Sequence, residues 1–152
     1  MSPEHPSKID IVIPVFNEAG VVEQTYASIC KVIDALPSKF TLYYADDGSA
    51  DDTVASLRAL ADKDERIVVL ELARNFGHQA ALTAGLDASE GDFVISMDGD
   101  GQHPPEMIPQ MIALFEQGYD IIGSTPEEHE AETRRLVAFW LDVATKVKLS
   151  PD

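Results

Sequence analysis

The sequence has little cysteine, few basic residues and no long apolar run. Its 152 residues include a single cysteine, Cys30, which excludes an intramolecular disulfide framework and a cysteine-rich zinc or iron–sulfur site. Lys and Arg number 11 against 27 Asp and Glu, and so acidic a chain repels nucleic-acid phosphates and anionic headgroups. No apolar stretch approaches the ~20 residues that span a bilayer, so no membrane span is expected.

Two glycine-rich signatures of phosphate binding are also missing. No Gly-x-Gly-x-x-Gly follows the first predicted strand, and no Gly-x-x-x-x-Gly-Lys-Ser/Thr occurs, which argues against a Rossmann dehydrogenase and a P-loop NTPase. Residues 1–7 are polar and contain proline, unlike a signal peptide, so we expect a flexible N-terminus and a cytoplasmic protein. At 45% hydrophobic and 25% charged residues, the composition is that of a globular protein.

Strands and helices alternate in the predicted secondary structure. Apolar runs predict strands at 8–15, ending at Pro14, and at 40–45, 66–72, 92–97 and 119–123. Helical spacing predicts helices at 18–36, 76–88 and 127–148. Two more helices are predicted, one that begins after an N-cap at Asp51 and one that begins after Pro104. The alternation, without tight hairpin signals, predicts a single domain over 1–152 with a mostly parallel sheet between two helical layers.

Polar residues gather where four of the predicted strands end, at 14–18, 46–49, 74–78 and 98–103. Ligands of parallel α/β sheets bind outside the carboxyl ends of the strands, so the chemistry is expected at this one edge. Turn formation alone explains any one of these loops, but it does not require two separate acidic pairs.

The second acidic pair indicates a metal site. Asp98 and Asp100 flank Gly99, so both carboxylates leave the strand end close together and repel each other unless a cation or a proton offsets them. Mg²⁺ or Mn²⁺ binds through one or two carboxylates and completes its shell with water and substrate phosphates. Gln102 adds a neutral oxygen, and Gly99 and Gly101 would let a bulky ligand approach the backbone closely.

Three other residues near this edge allow two interpretations each. His103 is either a metal ligand or a turn residue before Pro104, and His78 either reaches the cleft or is solvated or packed. Arg74 either offsets phosphate charge or pairs with a surface carboxylate.

Taken in order, the blocks at the strand ends resemble the nucleotide-sugar-binding half of a family 2 glycosyltransferase. The similar segments are 12–18, 46–53, 74–82 and 97–106. The last two are most similar to the polyprenyl-phosphate branch, which contains dolichyl-phosphate mannose synthases and undecaprenyl-phosphate glucosyltransferases. The resemblance covers residues 8 to about 123 and implies the GT-A fold, a Rossmann-like three-layer α/β/α sandwich.

The resemblance also implies an activity and a set of site residues. The activity is metal-dependent, inverting transfer of a hexose from a UDP- or GDP-sugar to a polyprenyl phosphate or similar acceptor, at the cytoplasmic face of a membrane. Residues expected to bind the nucleotide sugar are Pro14, Phe16, Glu18, Asp46, Asp47, Arg74 and Asp98. Residues expected to hold Mg²⁺ or Mn²⁺ against the diphosphate are Asp98, Asp100 and Gln102.

The C-terminal part departs from the family pattern. Relatives usually have an arginine where 123–126 reads Gly-Ser-Thr-Pro, and 127–130 is unusually acidic. The acceptor-side segment of the relatives, with its catalytic carboxylate, and the membrane helices of many members would follow residue 152, so no general base is assigned. We expect the chain to bind donor but to transfer poorly, and an exposed Phe139 and Trp140 would favour homo-oligomers.

Three other functions remain open. A non-catalytic nucleotide-binding or assembly module would keep the cleft without transfer. A nucleotidyltransferase of similar fold usually carries a glycine-rich basic loop where this chain has Phe-Asn-Glu at 16–18. A metal-dependent phosphohydrolase would build a two-metal site from both acidic pairs, although the sequence lacks a histidine-rich metal cluster.

Overall fold

The computed structural model describes residues 8–101 and 103–116. The strands are β1 (Lys8–Val15), β2 (Lys39–Asp46), β3 (Ile67–Glu71) and β4 (Phe93–Ser96). The helices are α1 (Val22–Ile33), α2 (Thr53–Lys63), α3 (His78–Ala88) and, after a 3₁₀ turn at Pro105–Met107, α4 (Ile108–Glu116). Within the described residues, no helix is long and apolar enough to cross a membrane. The predicted strand at 119–123, the helix at 127–148 and the flexible segment 1–7 lie outside them.

The backbone divides into two compact units. One, Pro6–Ile108, contains all four strands and helices α1, α2 and α3. The other combines Met1–His5 with Pro109–Asp152, of which the structure describes 109–116. The single domain over 1–152 therefore stays a prediction.

The four strands form one parallel sheet in the order β3-β2-β1-β4. β1 pairs with β2 along its whole length, from Lys8 opposite Lys39 to Val15 opposite Asp46, and with β4 from Ile9 to Val12. Every side chain of β1 after Lys8 is buried, as expected for a strand that is covered on both faces. The predicted parallel sheet is confirmed.

Helices cover both faces of this sheet. The chain runs from β1 through β2 to β3 in one direction and then returns past β1 to β4. Because parallel crossovers are right-handed, α1 and α2 lie on one face and α3 lies on the other. Accordingly α1 contacts α2, whereas α3 contacts β1 and β2. This reversal of direction makes a topological switch point between β1 and β4, where sheets of this type leave a ligand crevice.

The predicted end of β1 at Pro14 is wrong by one residue. The carbonyl of Val12 accepts the N–H of Met97 after β4, and the carbonyl of Val15 accepts the N–H of Asp47 after β2. Even-numbered residues of β1 therefore point their backbone polar groups toward β4. At Pro14 β4 has already ended, so the missing N–H removes no ladder bond and the strand continues to Val15.

Three helices begin later than the sequence predicts, among them α3, which begins at His78 rather than at residue 76. The predicted range 18–36 shortens to α1, and the amides of residues 17–19 donate to side chains of the β2–α2 loop and of Thr53 at the start of α2. The N-cap of α2 is Asp52 rather than Asp51. Asp51 still accepts the N–H of Thr53 at 3.0 Å, and its second oxygen accepts an amide of the β1–α1 loop.

Candidate functional site

The loop after β1 is fixed to the loop after β2. The N–H of Asn17 donates to Ser49 Oγ, and Asn17 Oδ1 accepts the N–H of Ala50, both at 2.9 Å. The N–H of Glu18 donates to Thr53 Oγ1 at 2.9 Å. Asn17 has a φ of 53°, a left-handed conformation that asparagine adopts more readily than most residues. These bonds hold the β1–α1 loop beside the switch point.

The first residue of the Asp46-Asp47 pair fixes the β2–α2 loop. Asp46 is buried, and its carboxylate accepts the backbone N–H of Ser49 at 3.1 Å and the Ser49 hydroxyl at 2.5 Å. This is the local side-chain turn that aspartate forms readily. Its carbonyl also accepts the N–H of Leu72, so the same residue fixes the chain after β3.

Asp47, also buried, fixes the loop that precedes α3. Asp47 Oδ1 accepts the N–H of Phe76 at 2.8 Å, and both carboxylate oxygens accept the N–H of Gly77 at 3.1 Å. The carboxylate thus lies at the N-terminal end of α3, where the orphan amides and the helix dipole favour an anion. The oxygens of both acids in this pair are engaged within the protein.

The loop before α3 presents an aromatic ring and a cation at the surface. The guanidinium of Arg74 lies over the ring of Phe76, 4.3 Å from its centroid. Phe76 is 52% exposed. Stacking of this kind holds the charge of the exposed Arg74 at the surface beside the ring.

Asp98 lies between two histidines. His78 Nε2 is 3.2 Å from Asp98 Oδ1, so the first turn of α3 reaches the site, as one of the two interpretations of His78 proposed. The ring of His103 lies against the same aspartate: its Nδ1 accepts the N–H of Asp98 at 2.9 Å, and its Nε2 is 3.7 Å from Asp98 Oδ2. His103 is therefore bonded within the loop that carries Asp98.

The acids after β1 and β4 converge at the switch point. Burial, followed by repulsion from Asp100, Asp51 and Asp98, raises the pKa of Glu18. Because like charges disfavour ionisation only at short range, this shift places Glu18 in the same electrostatic field as the Asp98/Asp100 pair. Sequence reasoning placed Glu18 in the nucleotide pocket and did not predict this proximity, which follows from the pairing of β1 with β4.

Gly99 lets the loop after β4 pack against β1. A Cβ at this position would lie 2.5 Å from Val15 Cγ1 and 3.0 Å from the carbonyl oxygen of Pro14. The sequence predicts that Gly99 leaves room for a ligand, but Gly99 is buried and leaves room for Val15. Its role is to bring the acidic loop onto the central strand.

A cavity of about 210 Å³ lies beside Asp98 and Asp100. One wall belongs to α1 and includes the polar side chains Gln24, Thr25 and Ser28. Pockets for drug-sized ligands have about 300–1,000 Å³, so this cavity accommodates only a part of a ligand as large as a nucleotide sugar. The helical spacing of this segment predicts only the apolar face of α1. The polar residues at 24, 25 and 28 are the sequence signal that α1 also forms a wall of the cavity.

The donor set at the switch point suits a divalent cation that keeps water and phosphate ligands. Asp98 and Asp100 offer hard carboxylate oxygens. Across 8–101 and 103–116, no three or more His, Cys, Asp or Glu side chains are arranged to hold a metal ion. These residues therefore do not form a metal site from three or more such side chains. Mg²⁺ or Mn²⁺ needs only one or two carboxylates. Gln102, the third predicted ligand, lies outside the described residues.

The family model for glycosyl transferase family 2 matches residues 10–144, which include β2, β3, β4, all but the first two residues of β1, and the whole acidic edge. The chain belongs to glycosyl transferase family 2. The resemblance of the four strand-end blocks to this family is confirmed.

Two curated transferases are similar to this chain. An uncharacterised glycosyltransferase of Bacillus subtilis, YkcC, is 37% identical over 123 residues, which are 81% of this chain and 38% of that protein. The undecaprenyl-phosphate 4-deoxy-4-formamido-L-arabinose transferase of Proteus mirabilis is 37% identical over 122 residues, which are 80% and 37% of the two chains. The chain thus spans less than half the length of these relatives.

The structure is similar to that of a solved mannosyltransferase of Pyrobaculum calidifontis in complex with GDP-Man and Mn²⁺. The TM-score is 0.65 at 21% identity, over 82% of this chain and 37% of that chain. This likeness confirms the predicted GT-A fold.

Proposed function

We propose that this chain is the donor-binding part of a glycosyltransferase that transfers a hexose from a UDP- or GDP-sugar to a polyprenyl phosphate or similar acceptor, with inversion. The observation that carries the proposal is the position of Asp98 and Asp100, which line a cavity after β4, at the β1–β4 switch point. The acceptor named for the Proteus relative supports the acceptor class. Because a polyprenyl phosphate is a membrane lipid, the proposed reaction takes place at a membrane surface, which we assign to the cytoplasmic face.

The donor is proposed to bind along the carboxyl ends of β1, β2 and β4. The exposed ring of Phe16, 44% accessible, offers an apolar surface for a nucleobase. Asp46 and Asp47 shape this pocket through the loops that they fix. Pro14, which is buried near the end of β1, is proposed to form its floor, and Arg74 is proposed to bring a positive charge to its rim.

The metal of this proposal would be held by Asp98, Asp100 and Gln102. When bound, Mg²⁺ or Mn²⁺ supplies Lewis-acid stabilisation for the charge that develops on a departing nucleoside diphosphate. The protein keeps the carboxylates in position before any ligand arrives. Gly99 packs the loop on Val15, and His78 lies within hydrogen-bond distance of Asp98 Oδ1. The complex of the Pyrobaculum neighbour with GDP-Man and Mn²⁺ supports both the metal class and a nucleotide-sugar donor.

A two-metal phosphohydrolase is less consistent with the geometry. Such a site would need Asp46 and Asp47 as ligands together with the second acidic pair. Their carboxylates instead accept the amides and hydroxyl of Ser49, Phe76 and Gly77.

Calorimetric titration tests the proposal directly. GDP-mannose and UDP-glucose are titrated into the chain with and without Mn²⁺, and one of them is expected to bind more tightly with the metal. Asp100→Ala should weaken the metal-dependent binding by about tenfold or more, since even an outer-shell partner of a metal is worth 10–100-fold in affinity. Asp62→Ala, which removes an exposed aspartate from α2, is the matched control. Binding that does not respond to Mn²⁺, or that Asp100→Ala leaves unchanged, would contradict the metal assignment.

A further inference from the structure

We infer that His103 is a positioning residue: it fixes Asp98 by accepting its backbone N–H and is not itself a metal ligand. The inference deepens the proposed function and rests on it for the part that concerns the metal. His103 is next to the predicted ligands in sequence, its side chain is only 11% exposed, and its ring lines the cavity beside them.

The direction of one hydrogen bond fixes the protonation of the His103 ring. A backbone N–H can only donate, so Nδ1, 2.9 Å from the Asp98 nitrogen, accepts with its lone pair. In a neutral imidazole the proton is then on Nε2. A metal requires a lone pair on the ring, and here the Nδ1 lone pair is used and Nε2 is protonated. His103 therefore has no lone pair for a cation while this bond exists.

The same ring contacts both ends of Asp98. Its Nε2 lies 3.7 Å from Asp98 Oδ2, beside the carboxylate that is proposed to bind the metal. The protonated side of the imidazole thus faces the negative charge, and the unprotonated side holds the main chain of the same residue. One side chain fixes the backbone of Asp98 and favours one orientation of its carboxylate.

The bond also closes the loop that contains Asp100. It joins residue 98 to residue 103, so Asp100 lies within a closed turn. At one end the turn is packed against Val15 through Gly99. At the other end Pro104 restricts the backbone of the residue before it to extended conformations, which limits the positions that His103 can take. The backbone that carries the two carboxylates is therefore restrained without a ligand.

The tautomer can be measured in the absence of metal and donor. In the ¹⁵N-labelled 152-residue chain at neutral pH, long-range ¹H–¹⁵N correlations of the imidazoles should show His103 protonated on Nε2 and unprotonated on Nδ1. Addition of Mg²⁺ should leave this pattern unchanged. An Nδ1–H tautomer, an imidazolium, or a change at a His103 ring nitrogen on addition of Mg²⁺ would overturn the inference.

Two nearly isosteric substitutions separate the role of Nδ1 from that of Nε2. The carbonyl oxygen of asparagine approximates the position of Nδ1, whereas the terminal amide of glutamine approximates that of Nε2. His103→Gln should therefore weaken Mn²⁺ binding, measured at saturating GDP or UDP, whichever the wild-type chain binds, by about tenfold, while His103→Asn should stay near the wild-type affinity. Metal-free binding of this nucleotide should be the same in both variants, which a general loss of folding would not allow. Equal loss in both variants, or no loss in either, would overturn the inference.

The two arms distinguish this inference from the proposed function. If the wild-type chain shows no metal-dependent nucleotide binding but His103 is protonated on Nε2, the proposed function fails and the fixing of Asp98 by His103 stands. If metal-dependent binding is present and His103 carries its proton on Nδ1, the proposed function stands and this inference fails.

Discussion

Asp47→Ala is expected to lower the free energy of unfolding by about 3 kcal/mol. The Asp47 carboxylate is 3% exposed and accepts the amides of Phe76 and Gly77 at 2.8 and 3.1 Å. Hydrogen bonds to charged groups contribute about 1.5–3 kcal/mol each, so the two amides together set a range of about 3–6 kcal/mol. Phe76 is 52% exposed, so water replaces part of what its amide loses, and the lower end applies.

Asp47→Asn should lie between the wild type and Asp47→Ala. The amide side chain keeps one carbonyl oxygen that can accept an N–H but loses the charge, so a loss of about 1.5 kcal/mol is expected. Urea unfolding followed by circular dichroism measures both variants. Asp52→Ala is the matched control because Asp52 is an exposed aspartate of the same loop whose side chain makes no capping bond. Its free energy of unfolding should stay within about 0.5 kcal/mol of the wild type.

An unchanged stability of Asp47→Ala would refute this reasoning. If that variant unfolds like Asp52→Ala but binds nucleotide more weakly, the Asp47 carboxylate acts on the ligand and not on the loop before α3.

Two further substitutions test the packing of the loops and a polar cluster at the opposite edge. Gly48 has a φ of +75°, and a Cβ at this position would lie 2.4 Å from backbone atoms of the β3–α3 loop. Gly48→Ala should therefore lower the free energy of unfolding in urea by about 2 kcal/mol or more. Gly20→Ala is the control and should be nearly neutral, because a Cβ at Gly20 meets open space. Hydrogen bonds from Arg66 and from Tyr26 lower the pKa of Asp64, and this effect outweighs burial, which acts in the opposite direction. Asp64 therefore stabilises the fold above its ordinary pKa and loses this effect as the pH falls through the depressed folded value. Asp64→Asn should cost about 2 kcal/mol at pH 7, and the difference from wild type should shrink below about pH 4, as measured by urea unfolding across pH.

Most of the sheet could be predicted from the sequence because each strand is a short apolar run between turn residues. The start of β1 at Lys8 is confirmed, and the errors at the other element ends, as at Pro14, amount to a few residues. The start of α1 lies where distant segments bond to each other: three amides before it donate to side chains of the β2–α2 loop and of Thr53, which lie more than 30 residues further along the chain.

The acidic edge could be located from the sequence, but the internal bonds of its first acidic pair could not. The sequence predicts Asp46 and Asp47 in the nucleotide-sugar pocket and the Asp98/Asp100 pair at a metal. The amides that engage Asp47 come from a loop about 30 residues away, so only the fold shows that this carboxylate is used internally. The proximity of Glu18 to the second pair likewise depends on the strand order, which places β1 beside β4.

Histidine chemistry was the least predictable part of the site. Residue type and spacing allow His103 to be a ligand or a turn residue, and both interpretations suit a histidine before proline. The distinction depends on which ring nitrogen meets the N–H of Asp98, a geometric fact that no local pattern encodes.

The location of bound Mn²⁺ tests the central claim most directly. In the ¹⁵N–¹H spectrum of the chain with whichever nucleotide sugar binds, small amounts of Mn²⁺ should broaden the amide signals of Glu18, Asp98 and Asp100 first. Lys8 lies seven residues back along β1, about 23 Å from the switch point at roughly 3.3 Å per residue, and its signal should persist. Broadening that centres on another part of the chain, or that does not depend on the nucleotide sugar, would contradict a metal-assisted donor site between β1 and β4.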